Sequence, residues 1–189
     1  MEQIKSGARL GGVFTAECYR WHDENYVRFR DALGRFERRL MWTEKFHNVL
    51  TAEGLTHMLD VTLGGKTLIE PFYAVLYEDD ADPADGDDYA APGYTECNAG
   101  VDEGTREEYV DVVAAKSCTN AASKASYTFN ASKTVHGAAL VGGSSTKADA
   151  TDAATHVLLC GAGFGTPRAV VDDDVINLTY VVTAADDGV

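Results

Sequence analysis

Residues 175–183, VINLTYVVT, constrain the fold more than any other stretch of the chain. Ile176, Leu178, Tyr180 and Val182 fall on one face of an extended backbone. Asn177, Thr179 and Thr183 fall on the other, and only Val181 breaks the polar face. A period of two with β-branched and aromatic enrichment predicts a strand with one buried face. Such a face needs a second layer to cover it, so further strands must come from elsewhere in the chain.

Candidates recur at short intervals. GVFTAECYRW over residues 12–21 reads as a strand with no cleanly polar face, YVRFRDAL over 26–33 as a second, and RFERRLMWTEKF over 35–46 as a third. In the third, Phe36, Leu40, Trp42 and Phe46 share one parity with Arg38 and Glu44, so this meander is expected to be half covered within one subunit. Gly34 is expected in a tight turn. FYAVLY over 72–77 is apolar on both parities, the pattern of a doubly covered central strand. REEYVDVVAA over 106–115 reads as a strand or a short helix, and its β-branched content favours the strand. Residues 125–130, 134–141 and 156–160 complete the set before the closing strand.

One helix is predicted, in TAEGLTHMLDVTLGG over 51–65. Thr51 is a good N-cap, Glu53 suits the positive end of the helix dipole, and Gly64 and Gly65 end the helix. Leu55, Met58, Leu59 and Leu63 form its apolar stripe, with His57 beside it as a surface or hydrogen-bonded side chain. The fold class is therefore mainly β: an antiparallel β-sandwich, jelly-roll or immunoglobulin-like, with an N-terminal strand meander and one short α-helix. The expected division is an anchoring module over residues 1–65 and a sandwich over 66–189.

The net charge of −14 is unevenly distributed. Residues 1–50 hold nine Lys/Arg against seven Asp/Glu, net +2, and residues 51–189 hold seven against twenty-three, net −16. The acidic body argues against nucleic-acid binding, while the basic beginning suits an acidic partner or the acidic body of another copy. No apolar run approaches the ~20 residues that span a bilayer, and residues 1–10 lack the apolar core of a signal peptide. Location in a cytoplasm is the expectation, with no membrane partner. Cys18, Cys97, Cys118 and Cys160 form no CxxC and are expected as buried thiols, a Cys97–Cys118 disulfide being the one pairing weighed against that.

Chemistry-bearing motifs are sparse. The acidic loop EDDADPADGDDYAAPG does not match the ligand spacing of an EF-hand and reads as a solvated loop. Gly161, Gly163 and Gly165 resemble the start of a dinucleotide loop, but residues 168–171 look extended, so a loop or β-bulge is expected instead of a phosphate site. No GxSxG, HExxH or paired-cysteine site exists, and His22, His47, His57, His136 and His156 are scattered. The NAS and NLT triplets at Asn130 and Asn177 match glycosylation acceptors but lie in predicted strands. No catalytic, cofactor-binding or metal-binding residue is assigned.

Several local patterns, taken in order, resemble a family of small virion proteins of tailed phages, chiefly short-tailed ones. They are Asn48 with the helix start Gly54 and Leu55, the strand Gly137, Ala138 and Leu140, and a final strand carrying Phe164, Arg168, Val170, Asp174, Leu178 and Tyr180. The Arg-rich hairpin over residues 25–39 departs from the family pattern, as does Asp173, where a glycine is more usual. The resemblance implies a virion structural protein, assembled in the host cytoplasm as a homo-oligomer with other phage virion proteins. A tail fibre or appendage at the tail or head-to-tail region is the first expectation and a capsid decoration protein the second. Trp21, Tyr26, Phe29, Phe36 and Trp42 are the candidate interface residues, because aromatics and arginines dominate interface hot spots. A module binding host-surface glycans through Tyr89, Tyr94 and Trp21 is the rival from another class, and an enzyme the third.

Overall fold

The structure is a computed structural model that describes residues 8–23 and 25–186, with side chains described for 10–23 and 25–185. It is mainly β, with two antiparallel sheets face to face and one helix. The chain runs through β1 (Ala8–Arg20), β2 (Arg39–His47), β3 (Val49–Leu50), α1 (Ala52–Thr62), β4 (Phe72–Tyr77), β5 (Glu107–Glu108) and β6 (Val112–Ala114). It continues through β7 (Ser117–Thr119), β8 (Ala125–Thr128), β9 (Lys133–Gly142), β10 (Val157–Val170) and β11 (Val175–Asp186). One sheet has the order β2-β1-β11-β7-β6, with β8 also on β11, and the other has the order β3-β10-β9-β4-β5.

β11 is the axis of the first sheet. It pairs with β1 from Ala8↔Asp186 to Tyr19↔Val175, and the predicted apolar face is buried, with Ile176, Leu178 and Tyr180 at 1% exposure or less. They meet Phe14, Ala16 and Cys18 on β1, and Leu140, Cys160, Ala162 and Phe164 from the opposite sheet. The Phe14 ring lies 4.4 Å from Tyr180 and 5.3 Å from Phe46. Alternation on each strand therefore builds one core between two sheets.

These pairings overturn the division at residue 65. β1 and β2 belong to the same sheet as β11, and β3 pairs with β10, so the N-terminal residues complete the sandwich. The physical reason lies in β1 itself: its twelve-residue ladder with β11 buries Phe14, Ala16 and Cys18 completely. The predicted second strand over 26–33 is also not formed as a strand, and isolated bridges stand in its place.

β4 is inner, between β9 and β5, and is covered on both faces as its pattern predicts. Ala74 and Leu76 enter the main core, while Val75 joins a second cluster with Tyr89, Ala139, Val141 and Leu158. The cover on that side comes partly from the acidic loop, which is less purely solvated than its composition suggests. A Cβ at Gly161 would overlap Pro83, and one at Gly163 would overlap the Asp82 carboxylate, so the glycine run admits the loop against β10. The β10–β9 register shifts between Gly163 and Arg168, the bulge expected there.

The helix starts as predicted, with the Gly54 amide donating to Thr51 Oγ1 at 3.0 Å, but it faces the other way. Gly54 and His57 are buried, whereas Leu55, Leu59 and Leu63 are exposed, Leu63 at 84%. A side chain at Gly54 would overlap the Leu159 backbone, so close approach to β10 selects the glycine face of α1 instead of the leucine face. His57 accepts a hydrogen bond from the Ile69 amide at 3.3 Å. Glu53 accepts from Leu158 N at 2.6 Å and Tyr89 N at 2.9 Å, tying α1 to β10 and the acidic loop. All four cysteines are free, so the Cys97–Cys118 alternative is not formed.

Candidate assembly interface

Between Arg20 at the end of β1 and Arg39 at the start of β2 lies a double-turn knob. Two turns, one closed by Asp23 and Val27 and the other by Asp31 and Arg35, repeat eight residues apart. In each, the aspartate Oδ1 accepts from two amides at 2.9 Å: Asn25 and Val27 in the first loop, Leu33 and Arg35 in the second. Each loop is also closed by paired backbone bonds, Asp23 with Val27 and Tyr26, and Asp31 with Arg35 and Gly34. The bridges His22↔Arg28 and Arg30↔Phe36 flank the two turns. Hydrogen bonding from the Arg35 amide, and then from its side chain, holds the Asp31 carboxyl below its ordinary pKa.

The fourth residue of each loop is left-handed, with φ of 77° at Gly34 and 60° at Tyr26. Glycine adopts that conformation without strain, and a tyrosine does not. Tyr26 is nevertheless 72% exposed, its ring 4.8 Å from His22. The Tyr26 ring packs on the buried His22, so the side chain that strains this turn also covers part of it.

Arginines cover the other aromatic rings. Arg30 lies 4.0 Å and Arg28 5.4 Å from the centre of Phe36, Arg38 4.7 Å from Trp21, and Arg39 4.5 Å from Phe29. Arg35 and Arg39 have carboxylate partners in Asp31 and Glu37. Among the described residues, none pairs with Arg28, Arg30 or Arg38. Every hydrogen bond described for residues 21–38 ends within residues 21–39. The knob is thus self-supporting, and Val27, Leu33 and Phe36 are exposed on it as Tyr26 is.

Of the five candidate interface residues, Trp21, Tyr26, Phe29 and Phe36 come together here. Trp42 does not. It packs edge-on to Phe164 at 5.9 Å with Arg168 above it, and Arg168 pairs with Glu44, so this aromatic closes the core. Its place on β2 opposite Cys18 fixes that role. Sequence reasoning did not single out Val27, Leu33 or the unpaired arginines, although the alternation of arginine with aromatics over residues 26–39 carries them.

The glycan-stacking set is not assembled. Tyr89 is buried with its ring 4.6 Å from His156, and Tyr94 stacks on Tyr77 at 5.0 Å. Among the described residues, no group of three or more His, Cys, Asp or Glu is arranged to hold a metal ion, and no helix is long and apolar enough to cross a membrane. No model of a known protein family matches the chain, and no curated protein sequence matches it.

Proposed function

We propose that this chain is a structural protein of a tailed-phage particle, assembled in the host cytoplasm. In this reading it is a tail fibre or appendage component at the tail or head-to-tail region, working by protein–protein assembly with copies of itself and other virion proteins. The observation that carries the assembly role is the knob: an exposed tyrosine in a strained turn, on the same segment as Arg28, Arg30 and Arg38, which stack on Phe36 and Trp21 and have no described carboxylate partners. Exposed aromatic and arginine side chains on a preorganised scaffold are what interface hot spots are made of. The virion setting rests on the resemblance of residues 48–55, 137–140 and 164–180 to small phage virion proteins.

Native mass spectrometry of the full chain and of dissociated particles tests the reading. The expected result is a stable homo-oligomer and incorporation into particles, at a copy number set by the tail's symmetry. A capsid-wide copy number moves the protein to the decoration role, and a monomer absent from particles overturns the proposal. Tyr26→Gly separates assembly from folding: the melting temperature is expected to hold or rise as strain is relieved, while the oligomer dissociates at lower dilution.

A further inference from the structure

A second surface matches the knob in chemistry. Where the chain crosses from β5 in one sheet to β6 in the other, a cleft of about 350 Å³ opens into the side of the sandwich. Its floor is apolar, with Phe72, Leu159 and Val182, and three carboxylates line it, Glu70, Glu108 and Asp111. Among the described residues, no lysine or arginine pairs with any of the three. Val110, Val112 and Val113 are exposed beside it, and β5 and β6 are the free edges of their sheets.

Resting on the assembly reading above, we infer that this cleft receives the knob of a second copy of the chain. The knob offers the exposed side chains of Leu33 and Phe36, with Arg28 and Arg30, which lack described carboxylate partners, stacked on Phe36. The cleft offers an apolar floor between carboxylates that lack described cations. Each surface supplies what the other is missing, and stacking on Phe36 holds the Arg28 and Arg30 guanidinium groups in place before contact.

One copy cannot satisfy itself. The knob follows Tyr19, which pairs with Val175 at the start of β11 and on the β2 side of the sheet. The cleft lies at Val182 and on the β6 side. Seven residues of strand separate those positions along β11, about 23 Å, and the knob's described contacts stay within residues 21–39. The knob and the cleft are separate surfaces, so their contact either chains copies head to tail into a ring or filament or pairs two copies reciprocally about a two-fold axis, and cross-linked products larger than a dimer mark the first arrangement.

Cys118 lines the cleft and is half-exposed, whereas Cys18, Cys97 and Cys160 are buried, which makes a direct test available. Leu33 is 77% exposed at the tip of the second turn, so L33C should fold. Treated with a short bismaleimide, the full-length L33C chain is expected to give covalent multimers that Cys118→Ser abolishes. Mixed isotope-labelled and unlabelled protein should show peptides joining position 33 of one chain to Cys118 of another. Arg30→Glu should lower the yield severalfold, and Glu108→Arg should restore it in the double variant. Oligomers in native mass spectrometry without any Cys118-dependent product, or a product joining the two positions within one chain, overturn the docking and leave the assembly reading standing. A chain that is monomeric at every concentration and absent from particles removes both.

Discussion

The buried ion pair between Glu96 and Arg106 predicts a large single-residue effect on stability. Both side chains are at 6% exposure or less, and Arg106 Nε and Nη2 reach the Glu96 carboxylate at 2.8–3.1 Å. Arg106 also donates to the Tyr89 hydroxyl at 2.7 Å, the Ser144 carbonyl at 3.0 Å and the Asp149 carbonyl at 3.3 Å, and the Ala148 amide donates to Glu96 at 2.7 Å. Burial pulls the guanidinium pKa down, but hydrogen bonding and charge from Glu96 outweigh it, so Arg106 stays cationic in the folded state. Glu96→Ala therefore strands a buried cation and orphans the Ala148 amide. Breaking one partner of a buried pair costs about 3–5 kcal/mol. At about 2–4 °C per kcal/mol for a chain of this size, the melting temperature should fall by about 6–20 °C. Arg106→Met should cost a similar amount, while Glu96→Leu with Arg106→Met, which leaves no buried charge, should cost well under the sum of the singles. Urea denaturation followed by far-UV circular dichroism gives the double-mutant cycle. Singles that cost less than about 1 kcal/mol, or that add without coupling, would refute the claim that this pair joins the 89–96 and 144–149 loops over the outer face of β4 and β9.

Gly54→Ala should destabilise despite a better helix propensity. The new methyl meets Leu159 backbone that cannot move aside, costing about 1–3 kcal/mol against a gain of at most ~1 kcal/mol. Leu59→Lys on the exposed side of α1 should stay within about 0.5 kcal/mol, and both are read by thermal melts. Glu107 has a raised pKa, from burial first and then from the Glu103 charge, so folding takes up protons and stability falls as pH rises from the ordinary glutamate pKa through the folded value. Glu107→Gln should accordingly raise the melting temperature at pH 7 and leave it unchanged at pH 4. Burial pushes the Cys18, Cys97 and Cys160 thiols up to about 12, so native protein should show one accessible thiol in a colorimetric titration, lost in Cys118→Ser, with the other three appearing only on unfolding.

Period-two patterning located β11, an apolar run on both parities located β4, and the segments read as strands at 12–21 and 134–141 fall on β1 and β9. Patterning misled where contact depends on backbone approach. The leucine stripe of α1 suggested the buried face, yet Gly54 marks it, since a side chain there would overlap the Leu159 backbone. Likewise the 161–165 glycines were legible as a bulge, but their reason, passage of the loop carrying Asp82 and Pro83, lies some eighty residues away in sequence. The short strands β5, β6 and β7 are set by tertiary pairing, and strands of two or three residues carry too little pattern to be read. Four of the five candidate interface residues share the knob because they are neighbours within residues 21–36. Trp42 differs because β2 commits it to the core.

Asp23 to Val27 and Asp31 to Arg35 solve the same local problem with the same hydrogen bonds, which makes each the control for the other. Gly34 shows what the backbone prefers at the fourth position, so Tyr26 measures what is conceded there. The two candidate surfaces then follow one logic. In the knob, hydrogen bonding is satisfied internally while the rings and three guanidinium groups are left without described carboxylates. In the cleft, the sandwich is closed by Tyr109 beneath while three carboxylates and the adjacent valines are left outward. A chain whose body carries net −16 and whose first fifty residues carry net +2 would repel its copies in most orientations. Apposition of the arginine knob with the carboxylate-lined cleft is the orientation in which that repulsion is locally reversed. In the proposed contact, charge favours association between copies, so added salt should weaken it.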